Sequence, residues 1–226
     1  MSENKTGRYI KYAIGEIVLV VVGILIALSI NNWNEGRKNQ RKVQAHLASI
    51  RADLMQDLEE IESMSVWKKR IKCFHEAIPN FKLSDELVNL RLDTADCEIT
   101  YQVMFNFQKS YRSNTGSFDA MIADGNANLI SNKALFGKFQ HLYNFWNPAL
   151  LDVYNNERAI SSNLKYKWAH LVALQPNTNI SEIMDSTLVA DLILFYKQKQ
   201  SYITFLNGVE KLINEAIDEI DAELDK

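Results

Sequence analysis

The chain has 226 residues and an ordinary globular composition, 47% apolar, 10% aromatic and 23% charged, with a formal net charge of −3. Eight Gly and three Pro exclude a linker-rich or disordered chain, the near-neutral charge gives no global attraction to nucleic acid, and two cysteines cannot build a disulfide framework. The roughly 190 residues beyond the N-terminal stretch suffice for one domain with its own core.

Residues 1–12 form a short basic tail carrying Lys5, Arg8 and Lys11. Residues 13–30 then read AIGEIVLVVVGILIALSI, an apolar run interrupted only by Glu16 and Ser29. A helix from Tyr12 to Trp33 rises roughly 32 Å, the thickness of a bilayer's hydrocarbon core. Tyr9 and Tyr12 at one end and Trp33 at the other suit the two membrane interfaces, where amphipathic rings settle. Backbone groups in lipid must be satisfied within the segment, so residues 13–33 are expected to cross the membrane once as a helix. A cleaved signal peptide, with Ala27 and Ser29 before the cut, is the rival reading. The carboxylate early in the run and a flank (Asn31, Asn32, Trp33, Asn34) that continues the helix favour an uncleaved anchor. Arg37, Lys38, Arg41 and Lys42 beyond the span nearly balance the basic tail before it. The short tail is the easier part to keep inside, which gives a cytoplasmic N-terminus, an inner-membrane span and an outer globular domain.

Residues 34–226 are expected to form a soluble helical domain. Leu47, Ile50, Leu54, Ile61 and Met64 recur at three-four spacing, predicting one amphipathic helix over 36–77 that Pro79 and Asn80 end. Asp57 occupies a seam position of that stripe, which argues against an uninterrupted coiled coil. Only Gly36 separates this helix from the span, so a single rod is expected to rise out of the bilayer. Residues 84–95 predict a short helix capped by Ser84. Ile99, Val103, Phe107 and Tyr111 predict another, with a strand as the alternative because Tyr101, Val103, Phe105 and Phe107 alternate. Residues 113–116 read as a turn, after which Ser117 is expected to cap a short helix over 118–123 that Gly125 closes in a left-handed conformation. Ser131 and Asn132 open a helix carrying Leu135, Phe139, Leu142 and Phe145. Asn147 and Pro148 either restart a helix or kink a continuing one that reaches about Leu174. The last helix runs from about Ser186 to Leu224. The fold class is all-α, a bundle whose first and last helices are the longest. An antiparallel pairing of these two would carry Glu215, Asp218, Glu219, Asp221, Glu223 and Asp225 back towards Arg37, Lys38, Arg41 and Lys42, the alternative being a solvated acidic tail.

Few residues point to chemistry. Glu16 is costly inside a membrane unless it meets a partner. At 100° per residue, Gly23 and Ala27 lie within about 20° of Glu16 on one helical face. This small-x-x-x-small spacing lets a second helix approach closely. Cys73, His75 and Cys97 match no closed zinc spacing; Cys73 and Cys97 could form one bridge in an oxidising compartment, but two ordinary buried thiols are the plainer reading. No Walker loop, dinucleotide fingerprint or His-Glu-x-x-His is present, and Gly116-Ser117-Phe118 lacks the second glycine of a nucleophile elbow. No catalytic residue, metal or cofactor is therefore assigned. Lys68, Lys69, Arg70 and Lys72 beside Trp67 are diluted by nearby acids and read as a solvated face. The aromatics Phe136, Phe139, Tyr143, Phe145 and Trp146, with Tyr166 and Trp168, read as core.

The run Lys11-Tyr12-Ala13-Ile14-Gly15-Glu16 through Leu28, followed by Asn31-Asn32-Trp33-Asn34-Glu35, resembles the opening of an uncharacterised family of single-pass membrane proteins from Bacteroidota. Ser117-Phe118-Asp119-Ala120-Met121 with Gly125, and Leu129 through Lys133 with Leu135, are similar to that family's middle. The resemblance implies an intact anchor and no particular activity. Three functions remain. The first is a non-enzymatic accessory module that associates through Glu16, Gly23 and Ala27 with another membrane protein or with its own copies. The second is a homo-oligomeric ion or proton path lined by Glu16. The third is an envelope enzyme in which residues such as Glu157 and His141 meet in a pocket.

Overall fold

The computed structural model describes residues 5–78, 81–83, 97, 111–170 and 186–225. They form helices and turns with no strand among the described residues. The expected elements over 84–95 and 99–110 lie outside the described residues.

The first helix, α1 (Lys5–Ser63), is 59 residues long and passes from the apolar run into the bundle without a break. Side-chain pairs four residues apart carry it across the junction: Asn31 Nδ2 donates to Glu35 Oε1 at 3.3 Å, and the Arg37 guanidinium lies 4.9 Å over the Trp33 ring. Gly36 does not interrupt it, and a Cβ there would meet nothing within 4 Å. The single helix expected to reach residue 77 is instead two. At Ser63 the hydroxyl donates to the Glu60 carbonyl at 2.6 Å, and the Met64 amide closes a tighter turn on Ile61 at 3.0 Å. A side chain that competes for helix carbonyls in this way loosens the ladder, and α2 (Ser65–Ala77) restarts beyond it.

After residue 115 come α3 (Gly116–Ala123), a 3₁₀ turn (Asn126–Leu129), α4 (Lys133–His141), a π-helical turn (Leu142–Trp146), α5 (Asn147–Lys167) and α6 (Ser186–Leu224). Gly125 joins α3 to the 3₁₀ turn at φ +69°, the left-handed conformation expected of it. Ser117 is not the cap. It lies inside α3, where its amide donates to Asp53 Oδ2 of α1 at 3.0 Å, while the preceding Thr115 hydroxyl bonds Asp119. Asn132 does cap α4, accepting from the Leu135 amide at 3.0 Å. The helix continues through Pro148, which lies in the first turn after a π-helical stretch. That proline lacks an N–H and its ring crowds the carbonyl four residues back, and the wider π turn before it lets the Asn147 amide reach the Leu142 carbonyl.

Two heptad seams organise the bundle. On α1 and its junction, residues 47, 50, 54, 57, 61 and 64 are all buried. On α6 the buried series runs 188, 192, 195, 199, 202, 206, 209, 213, 216 and 220. The alternating three-four steps keep each seam facing its partner. Arg51 pairs with Asp221 while the Tyr202 hydroxyl reaches the Met64 sulfur, so the two helices run antiparallel. Helices α2, α4 and α5 also pack on α6. Trp146 of the π turn lies against Gly208, where an added Cβ would come within 3.3 Å of the indole.

This register corrects the expected ion pairing. The acidic end of α6 meets Arg51 at 2.5 Å through Asp221 and Lys138 at 2.9 Å through both Glu215 and Glu219, and Glu223 accepts from Asn132. Arg37, Lys38, Arg41 and Lys42 stay exposed further down α1. Phe145 is also exposed, not core, because the π turn rotates it away while Leu142 and Tyr143 face inward. Tyr166 is likewise exposed, whereas Trp168 is buried and donates to Asp191 at 2.8 Å. A further correction concerns the cysteines. Cys73 and Cys97 form a disulfide across 24 residues, with Cα atoms 5.2 Å apart. They are therefore not separate thiols, and the Cys73–His75–Cys97 ligand set is gone.

The seam position at Asp57 explains how the segment before α3 is held. Fully buried, its carboxylate accepts from the Tyr111 hydroxyl at 3.0 Å, from the Ser113 hydroxyl at 2.9 Å, and from the backbone and side-chain amides of Asn114 at 2.9 Å. Burial pushes this carboxyl above its ordinary pKa, and the hydrogen bonds draw it back. Simple heptad logic would make Asp57→Leu stabilising. The hydrogen bonds predict the reverse: a loss of about 2–3 kcal/mol from orphaned donors, seen as a melting temperature lower by roughly 5–10 °C. An unchanged or higher melting temperature would show that the seam alone sets stability here.

Candidate functional site

The apolar run of α1 has a mean hydropathy of 2.7 and none of it is buried by the rest of the chain. It is the only helix among the described residues long and apolar enough to cross a membrane. Glu16, Gly23 and Ala27 lie on one face of this helix, as their spacing requires. Nothing else among the described residues approaches that face: a Cβ added at Gly15 or Gly23 would meet no atom within 4 Å. Tyr9 and Tyr12 lie towards its start, and Trp33, 63% exposed and capped by Arg37, lies at its far end. The residues expected to meet a second helix thus share one face that no described residue covers.

The bundle holds a second polar feature, between α5 and α6. Lys199 occupies an α6 seam position and forms an ion pair with Glu157 of α5, both side chains being at most 3% exposed. The Lys199 ammonium also lies 3.9 Å from the centre of the Trp67 ring, whose other contact is the Arg70 guanidinium at 4.8 Å. Burial pushes the Glu157 carboxyl up and the Lys199 ammonium down, while each charge opposes the shift of the other. The signal was present in the sequence: the α6 heptad from Leu188 to Ile220 places a lysine where an apolar residue belongs. Arg70, read as part of a solvated basic cluster, is in fact stacked on a buried indole.

Glu157 and His141 do not meet. His141 is exposed and stacks on Phe145 at 5.1 Å, whereas Glu157 is enclosed between α5 and α6. No group of three metal-ligating side chains occurs among the described residues. His75 bonds the Phe81 carbonyl and His46 contacts Asn126, so both serve local packing.

A buried pair of this kind is costly to break and cheap to replace whole. Glu157→Gln leaves Lys199 uncompensated and is expected to cost about 3–5 kcal/mol, whereas Glu157→Leu with Lys199→Met should return to within about 1 kcal/mol of the wild type. Denaturant unfolding of the three proteins measures both. A double variant no more stable than the single one would mean that the pair positions something besides itself.

No curated protein and no solved structure matches this chain. A model described as "Family of unknown function (DUF6090)" matches residues 16–199, from within the apolar run of α1 to the buried lysine of α6, and the protein belongs to that family.

Proposed function

We propose that the protein is a membrane-anchored, non-enzymatic accessory module that associates with another membrane protein through its N-terminal span and presents the helical bundle to a partner. One observation carries this reading. The apolar half of α1 is covered by none of the other described residues, yet it is continuous with the helix on which the bundle is built. A lone apolar helix needs lipid, and a carboxylate within it needs a polar partner that this chain does not supply among its described residues. Glu16 with Gly23 and Ala27 is the contact face, close approach of a second helix being favoured by the small residues.

The bundle lies on the outer side of the inner membrane, with the N-terminus cytoplasmic. The Cys73–Cys97 disulfide supports this orientation, since such bonds persist in oxidising compartments and are rare in the cytosol. The basic residues flanking the span are nearly balanced and contribute little to the choice. In intact cells, a membrane-impermeant maleimide should label the protein only after an impermeant phosphine has reduced it. Labelling that needs a permeant reagent and no reductant would place the bundle inside.

Co-purification from native membranes in mild detergent, with wild type beside Glu16→Leu, tests the association. A distinct membrane protein retained by the wild type and lost by the variant is the expected result. Recovery of the chain alone and monomeric in both would contradict it. A homo-oligomer lost in the variant would instead favour the pore reading, in which Glu16 faces a path between copies, and Glu16→Gln would then abolish ion flux in vesicles.

A further inference from the structure

The register that directs the acidic end of α6 to Arg51 and Lys138 leaves four cations of α1 unanswered. Arg37, Lys38, Arg41 and Lys42 are exposed, and none of them meets a carboxylate among the described residues. The chain has no acidic residue between Glu35 and Asp53. Glu35 accepts from Asn31 on the side of the span, and Glu223 accepts from Asn132 on the side of the bundle. Arg37 with Arg41, and Lys38 with Lys42, are like charges four residues apart, an arrangement that destabilises a helix unless an anion answers it.

Their placement points to the source of that anion. At 100° per residue the four occupy an arc of about 140° on one side of α1. Asn39, Val43, Gln44 and Leu47, all partly or fully buried, lie on the opposite side, against the bundle. Arg37 and Lys38 rise about 6–8 Å above Trp33, and Arg41 and Lys42 about 12–14 Å. A headgroup layer is roughly 5–8 Å deep, so the first pair stands within it. Side chains on a helix lean towards its N-terminus, here towards the span, and the long stems of Arg41 and Lys42 carry their charges down to the same layer. The Arg37 guanidinium shows this lean, lying 4.9 Å over the Trp33 ring one turn below. Given the anchored span proposed above, we propose that Arg37, Lys38, Arg41 and Lys42 bind the phosphate groups of anionic phospholipids in the leaflet from which the bundle emerges.

The test reconstitutes the full chain into phosphatidylcholine vesicles holding a trace of spin-labelled phosphatidylglycerol or spin-labelled phosphatidylcholine. Electron paramagnetic resonance then compares the motionally restricted fraction of each. Lys5→Gln, Arg8→Gln and Lys11→Gln are present throughout, so that the basic tail does not contribute. A cation at the surface favours an anionic lipid about fivefold, which averages to about twofold over the ring of lipids around the span. That preference should fall to parity on adding Arg37→Gln, Lys38→Gln, Arg41→Gln and Lys42→Gln, with the melting temperature unchanged. Equal restriction of the two lipids before that change, or a preference that survives it, would overturn the proposal. So would a preference abolished by millimolar inorganic phosphate at constant ionic strength, which would assign the face to a free anion. A melting temperature lowered by more than about 5 °C on adding the four substitutions would also overturn it, making the cations part of the bundle's structure. Release of the chain from the vesicles by carbonate washing would overturn the anchor as well, whereas retention without preference overturns the lipid contact alone.

Discussion

The fold depends on one helix belonging to two environments. The lower half of α1 is apolar on every side and is buried by no other described residue, while its upper half carries a narrow heptad stripe that pairs with α6. A helix apolar all round suits lipid, and one with a single apolar stripe suits a bundle in water. Between them, residues 31–37 change composition without changing conformation. The other elements are fixed to the upper half. Asp57 holds residues 111–114, Asp53 holds the start of α3, and Arg51 sets the end of α6.

Both long helices carry one charged residue in their apolar seams, and each is answered differently. Asp57 meets four donors from a single short stretch of chain. Lys199 meets a carboxylate on a neighbouring helix and the face of an indole. Uniform leucine seams would allow the helices to slide by a heptad or to exchange partners. A polar residue satisfied in only one register removes that freedom. These two positions thus favour a single register as well as stabilising the bundle.

Much of the architecture was legible in the sequence. The apolar run, the two long helices with their antiparallel pairing, the Asn132 cap and the left-handed Gly125 all follow from local pattern. Local pattern also showed Asp57 on the seam, but its donors come from more than fifty residues away and no periodicity reveals them. The same limit hid the disulfide and the Glu157–Lys199 pair. The break at Met64 rests on one serine hydroxyl, and the exposure of Phe145 on a one-residue change of helical register in the π turn. Neither leaves a trace in a hydrophobic repeat. The common face of Glu16, Gly23 and Ala27 was visible as spacing alone.

Continuity of α1 across residues 31–37 is the claim on which the account rests, because the proposed anchor can orient the bundle only through it. Spin labels at Ser29 and Ala45, both exposed, would report it directly in lipid nanodiscs by pulsed electron–electron resonance, the native cysteines being held in their disulfide. A continuous helix places the two backbones about 24 Å apart, and the account predicts one narrow distance distribution near that value. A broad distribution, or one centred well below it, would mean a hinge at the membrane surface and would contradict it.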